Sequence, residues 1–421
     1  MERVKLPYGK RGELVVEIPE RNFAGAFSSA SPPAPGDLET LLTSVLESPT
    51  GTPPLRELAT KSAKVLLIVD DNTRRTPIRA LLPAIARILR EAGVADGNVR
   101  ILFAVGTHRE MTREEKIEKI GAEALERYVC VSHDYQAECL SLGATRFGTP
   151  VEVNPLIAWA DLSIAVGSIL PHAFCGWSGG GKMILPGICS ARSTLATHML
   201  PFQDPEIGLG VIENRARVEI DEAARMAGLG FIVNAILNAQ GRIVDLVAGD
   251  AVTAHRAGIA KARSVMGVRI PAADLAIGSA WPEDENYWQA GKSIYPLEQV
   301  VRPGGLALLV ARLDEGRGEH PGLYDGMGEE ESLLLRRLDL VKDADIDEAL
   351  AIAAALSDRR ILRKARFGLV SDGLPMRETA RGAVLRFSTP DDALRLILRE
   401  NPEAKVVCLL NSPEILPIFD L

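Results

Sequence analysis

Short unbroken apolar runs alternate along this chain with stretches of helical period, and that alternation limits the folds open to it. Lys64–Val69 (KVLLIV), Val99–Val105 (VRILFAV) and Asp161–Val166 (DLSIAV) are too short for core helices and too continuous for one-sided strands. They read as strands buried on both faces. Between the first two, Ile78–Ala92 carries Leu81, Leu82, Ile85, Ile88 and Leu89 at helical spacing. A helical pair over 112–128 leads into a third strand at Tyr128–Val131. Strands alternating with helices predict an α/β fold: a doubly wound, mostly parallel sheet with right-handed crossovers.

The remaining pattern extends the same logic. Residues 1–20 read as two short strands around a turn at Gly9–Gly12, and 22–54 as a covering loop with one helix at 37–46. A helix from about Ser190 to Met199 should stop before Pro201. A charged helix at 215–226 precedes a hairpin, Phe231–Leu237 with Arg242–Val247, and a helix at 251–265. A second α/β set begins at Ala273–Ile277 (ADLAI) and includes strands at 305–310, 367–370 and 405–410. The expected organisation is two α/β domains, 1–270 and 271–421, with the last residues packing back on the first. The active site is expected in the cleft between the domains.

With 421 residues each domain can bury a full core. A net charge of -8 gives no electrostatic reason for a nucleic-acid or anionic-membrane partner. No apolar run reaches bilayer length and the N-terminus lacks an apolar leader, so a cytoplasmic protein is expected. Five cysteines without CxxC spacing indicate neither a disulfide framework nor a thiolate zinc site. Cys175 and Cys189 read as buried thiols.

In a doubly wound sheet the carboxyl ends of the strands line the ligand crevice. Here the polar clusters follow strands: Asp71–Arg74, His108-Arg109, His133-Asp134 and the stretch Gly167–Cys189 (GSILPHAFCGWSGGGKMILPGIC). The last holds His172, Trp177, Ser178, Gly179, Gly180, Gly181 and Lys182. Its glycines suggest a strip of backbone against which a phosphorylated ligand can lie. A P-loop fits Gly176 to Lys182, but Met183 replaces the magnesium-binding Ser or Thr, and Pro186 falls where a helix should run. A plain flexible loop leaves His172, Trp177 and Lys182 unexplained.

Of the six histidines, four lie within 108–198. His108 and His172 in strand-end loops point to acid–base work or metal binding. His198 either suits a helix C-terminus or faces the preceding loop. His133 reads as part of a turn with at most a supporting role, and His255 and His320 as surface residues. Arg74, after a strand end, is a natural fork for a carboxylate or phosphate. Gln289 and Lys292 share a helix face, which is equally the pattern of a solvated surface.

Together, Asp71-x-Thr73-Arg74, Gly106-Thr107-His108-Arg109, Pro171-His172, Ser178-Gly179-Gly180-Gly181-Lys182, Pro186-Gly187, His198 and Gln289-x-x-Lys292 resemble the nickel-dependent lactate racemase family. The resemblance runs from about residue 10 into the C-terminal domain. It implies a racemase or epimerase of 2-hydroxy acids, working by reversible hydride transfer through a 2-keto acid. It implies a nickel-pincer nucleotide, a pyridinium dithio-derivative mononucleotide, attached covalently to Lys182. In that family's terms His198 matches the nickel ligand, and His108 and His172 the acid–base pair. Asp71, Thr73, Ser178 and Gly179–Gly181 match cofactor contacts, and Arg74, Trp288, Gln289 and Lys292 substrate contacts. Cofactor-biosynthesis and nickel-insertion proteins are the implied partners.

The sequence departs from the lactate enzymes in its substrate wall. Trp288 stands where they carry a tyrosine, and no tryptophan follows it although they have one in the C-terminal domain. A 2-hydroxy acid other than lactate is therefore expected, with malate favoured. Two other readings stay open: a metal-dependent hydrolase using His108, His172 and His198, and a nucleotide-binding protein without catalysis.

Overall fold

Side-chain alternation along Val65–Asp70 (VLLIVD) explains the first half of the architecture, seen in a computed structural model that describes residues 1–10 and 12–419. Val65, Leu67 and Val69 enter one apolar core, and Leu66 and Ile68 enter another on the opposite face. The same split recurs in Val99–Ala104, where Ile101 and Phe103 face one way and Leu102 the other. A strand apolar on both faces is stable only inside a covered sheet, which is why these runs do not alternate with polar residues.

The resulting sheet has six strands in the order Ile243–Gly249, Leu229–Leu237, Leu162–Ser168, Val65–Asp70, Val99–Ala104 and Val129–Ser132. All neighbours are parallel except the first pair, the expected hairpin. The helices Ile78–Glu91 and Arg215–Met226 bury their apolar stripes on its two faces, through residues such as Leu81 and Ile85, and Ile220 and Ala224. Five parallel strands therefore end side by side on one rim.

A second sheet is wholly parallel, in the order Val384–Phe387, Arg366–Val370, Val301–Val310, Ala273–Ser279, Val406–Leu409 and Phe23–Phe27. The chain divides into two units. One comprises Ser31–Leu200 with Glu206–Val265; the other comprises Met1–Ala30, Pro201–Pro205 and the chain from Met266 onward. The first thirty residues, expected within 1–270, thus join the C-terminal unit. Phe23–Phe27 supplies its edge strand, and the antiparallel hairpin of Glu2–Tyr8 with Gly12–Ile18 adds Val4, Leu6, Tyr8, Val16 and Ile18 to the core around Leu275 and Leu306. Near the C-terminus, Leu416–Ile418 pairs with Gly267–Arg269 in this same unit. Arg11, in the expected first turn, and residues 420–421 lie outside the described residues.

Two elements differ in extent from the sequence reading. The helix Ala191–Gln203 runs through Pro201, because a proline so near the end removes at most one hydrogen bond from the ladder. The helix expected to carry Gln289 and Lys292 on one face is broken into Tyr287–Ala290, a 3-10 turn at Gly291–Ser293, and Ile294–Val300. No helix among the described residues is long and apolar enough to cross a membrane.

Candidate functional site

At the end of Val65–Asp70, Asp71 is buried and its carboxylate gathers several donors. It accepts from Thr73 N at 3.2 Å and Thr73 Oγ1 at 2.6 Å, and lies 2.7 Å from His108 Nδ1. Burial alone would raise its pKa. The His108 ring, with Arg74 and the Thr73 hydroxyl, overcomes that and holds the carboxyl well below the usual carboxylate range. An ionised Asp71 fixes the proton of a neutral His108 on Nδ1 and leaves the lone pair on Nε2, as a general base requires. Arg74 Nη1 donates to Thr73 O at 3.2 Å and to Thr73 Oγ1 at 3.0 Å. Asp71, Thr73, Arg74 and His108 therefore form one group.

The neighbouring strand Leu162–Ser168 delivers the glycine-rich stretch. Pro171-His172 pairs with Gly176-Trp177 in a two-residue ladder that folds the chain back. Trp177 is fully buried, with Nε1 donating to Gly210 O at 3.0 Å, so it is core. Ser178 is tied to the parent strand: its hydroxyl donates to Ser168 O at 2.9 Å and accepts from Leu170 N at 2.8 Å.

The glycines do not form the ligand-facing strip that the sequence suggested. Gly179–Gly181 are buried, and a Cβ at Gly180 would stand 2.8 Å from the His255 ring. One at Gly181 would stand 2.8 Å from Ala224 Cβ and 3.0 Å from Ile220 O. Close packing against the helices Arg215–Met226 and Thr253–Met266 requires glycine here. Asn234 Oδ1 takes the Gly180 N–H at 2.8 Å. No long helix follows Lys182; Gly180–Met183 is a single 3-10 turn, which removes the P-loop comparison on geometry as well.

His255, expected at the surface, is buried, and Nε2 donates to Ser178 O at 2.7 Å. Burial and the adjacent Arg217 push its pKa well down, so it stays neutral. Arg217 is also buried and donates to the carbonyls of Trp177 and Gly179. The sequence reading missed His255, Arg217 and Asn234 as supports of this loop; a lone residue on a helix or strand carries no local signal for such a role.

What the turn does present is Lys182. Its Nζ lies 2.8 Å from His172 Nε2, and both residues are half-buried. The Phe174 ring stands edge-on between two imidazoles, 6.0 Å from His172 and 5.1 Å from His198 by centroid. His198 Nδ1 donates to Thr194 O at 2.9 Å, one helical turn back, which places the lone pair of a neutral ring on Nε2. His172, Lys182 and His198 thus share one cluster around Phe174. The loop that carries His108 meets the loop after Lys182 where Gly106 N donates to Gly187 O at 3.0 Å.

His133 is buried, with Nε2 2.8 Å from Cys189 O and Nδ1 3.3 Å from Asn154, and burial lowers its pKa. It is a satisfied structural residue. Among the described residues no three of His, Cys, Asp and Glu converge on a point able to hold a metal ion. His108, His172 and His198 therefore do not make the three-ligand site of the hydrolase reading.

In the other unit, the Asn286 side chain caps the turn that carries Trp288, accepting from Gln289 N at 3.0 Å. Lys292 Nζ donates to Gln289 Oε1 and to the Glu283 carboxylate. Gln289 and Lys292 meet as their spacing requires. Trp288 packs on His320, ring centroids 4.4 Å apart at 64°. His320, also expected at the surface, is buried.

Comparison with known proteins bears on this arrangement. Residues 8–210 match the family described as the lactate racemase N-terminal domain. The lactate racemase of Thermoanaerobacterium thermosaccharolyticum is 33% identical over 326 residues, 76% of each chain. The chain belongs to the lactate racemase family. The lactate racemase of Lactiplantibacillus plantarum is 32% identical over 338 residues, 78% of this chain and 79% of that one. The solved lactate racemase apoprotein from T. thermosaccharolyticum superposes with a TM-score of 0.87 at 27% identity, covering 99% of this chain and 100% of the other. A Thermotoga maritima protein shares the fold, with a TM-score of 0.71 at 19% identity over 91% and 98% of the two chains. The mixed α/β architecture with mostly parallel sheets is thus that of the lactate racemase family.

Proposed function

We propose that this protein is an isomerase, a racemase or epimerase of a 2-hydroxy acid, that works with a nickel-pincer nucleotide tethered to Lys182. The observation that carries this reading is the cluster itself. A lysine amine lies against one histidine, beside a second histidine whose tautomer is fixed, in a chain of the lactate racemase family.

The residues fit such a group. Lys182 offers a primary amine for a thioamide link, and His198 offers an Nε2 lone pair to nickel, for which imidazole is a suitable ligand. When bound, the cofactor supplies an electrophilic carbon that accepts the α-hydrogen as hydride.

The chain's own residues do the rest. His108, held by Asp71 with its lone pair on Nε2, takes the hydroxyl proton of one enantiomer. Asp71 steadies the imidazolium that results. His172 serves the opposite enantiomer, so the planar keto acid can be reduced on either face. Arg74 grips the substrate carboxylate. The Glu283 carboxylate pairs with Lys292 Nζ and holds it in place.

Trp288 in place of the tyrosine of the lactate enzymes favours malate or another small 2-hydroxy acid over lactate. Chiral chromatography of lactate, malate, 2-hydroxyglutarate and gluconate incubated with the loaded protein tests this. Racemisation of malate with little turnover of lactate is expected. Preference for lactate contradicts the substrate assignment, and turnover of none of the four contradicts the activity.

A further inference from the structure

A buried lysine stands behind the loop that carries Arg74. It belongs to the helix Arg113–Ile120, where Glu115 and Lys119, four residues apart, share one face. Lys119 Nζ forms an ion pair with Asp70, the last residue of Val65–Asp70, and both residues are buried. The same Nζ donates to Arg74 O at 2.9 Å. Arg74 N donates to Asp71 O at 3.3 Å, so the backbone of Arg74 is held on both sides. The loop closes where Thr76 Oγ1 donates to the Asp70 carboxylate. One turn earlier on the helix, Glu115 accepts from Asn72 Nδ2 at 3.2 Å and from the two Arg109 Nη atoms at 2.8 and 2.7 Å. One helix face thus reaches both the Asp71–Arg74 loop and the loop of His108.

Stability alone does not explain the lysine. An ion pair taken out of water gains little net stability, because desolvation offsets the attraction, and apolar side chains of the same size pack as well. An ammonium aimed at a loop carbonyl does what an apolar side chain cannot. It fixes the direction of a peptide group in a segment that has no strand or helix ladder to do so.

We infer that Lys119 is a positioning residue: anchored on Asp70, it holds the Arg74 carbonyl and so fixes where the Arg74 guanidinium meets the substrate. The guanidinium end is steadied separately, by Nη1 donating to Thr73 O and Thr73 Oγ1. The inference rests on the reading of Arg74 as the grip on the substrate carboxylate, and adds what keeps that grip in place. Lys119 acts through Arg74, so its removal should matter only while Arg74 is there to be placed.

The test uses the full chain and the variant Asp70→Asn/Lys119→Met, which leaves no charge buried alone. Lys119→Met is made beside it and should show the same local pattern. Amide hydrogen exchange is the first readout. In the double variant the amides of residues 72–76 should exchange at least about tenfold faster, and those of Val65–Val69 should change by less than about threefold. The second readout is racemisation by the loaded protein of malate, or of lactate should that prove the substrate. The double variant should lose at least about tenfold in kcat/KM, mostly as a raised KM, because the substrate carboxylate keeps its charge through the reaction. In an Arg74→Lys background the same change should cost less than about threefold. Exchange that rises equally in strand and loop, or in neither, overturns the inference. So do equal losses in the parent and Arg74→Lys backgrounds, or a loss carried by kcat alone. The exchange measurement needs neither cofactor nor substrate. Faster exchange confined to the loop, in a chain that racemises no hydroxy acid, upholds the role of Lys119 and faults the activity reading alone.

Discussion

His255 Nε2 lies 2.7 Å from the carbonyl oxygen of Ser178, so a buried imidazole in one helix holds the loop that ends in Lys182. The ring is neutral because burial and Arg217 push its pKa well below the ordinary histidine value. The sign of the linkage follows. Below about pH 6.5 the unfolded chain takes up a proton that the folded ring refuses, so stability falls as pH drops. His255→Gln, which keeps a donor and does not titrate, should flatten that fall. Thermal melts from about pH 7.5 to about pH 5.5 should show a smaller loss of Tm for the variant than for the parent. Parallel curves contradict the assignment.

Gly181 is required by contact rather than by flexibility. Its missing Cβ is what allows the turn to sit against Ala224 and Ile220. Gly181→Ala should cost about 1–3 kcal/mol in denaturant titration, the usual range for overpacking a filled core. A cost within experimental error would mean that the loop shifts freely, and the geometry at Lys182 would then be less constrained than described.

Asp71 acts through His108. In Asp71→Asn the amide N–H donates to Nδ1, moving the ring proton to Nε2 and leaving no lone pair for the substrate. Racemase kcat should fall by about 10³–10⁴, as expected when a base is held in the wrong tautomer. Intact mass confirming that the cofactor is still attached separates this from lost loading. A loss below about tenfold contradicts the dyad.

The sequence and the structure agree best where burial dictates the pattern. Val65–Asp70 and Val99–Ala104 are legible because both faces are covered, and the rim clusters are legible because they directly follow such strands. The glycine run was misread for a physical reason. Glycine signals a missing side chain but not what fills the space, and here helices fill it rather than a ligand. His255 and His320 were read as surface residues because a single histidine on a helix or loop carries no periodic signal; only tertiary packing shows them buried. The edge strand Phe23–Phe27 was hidden because its partner Val406–Leu409 lies almost a full chain length away. The helix Pro390–Glu400 had local cues that were passed over. Thr389 and Asp392 form a reciprocal cap, and Pro390 sits in the first turn.

The account stands on Lys182 as the point of attachment for a nickel-bearing nucleotide. Intact-mass and peptide mass spectrometry of the full chain, produced together with the cofactor-making enzymes, tests that directly. The prediction is a mononucleotide-sized addition localised to Lys182, absent from Lys182→Ala, with hydroxy-acid racemisation following it. Racemisation undiminished in Lys182→Ala, or a nucleotide found on another residue, would contradict the account.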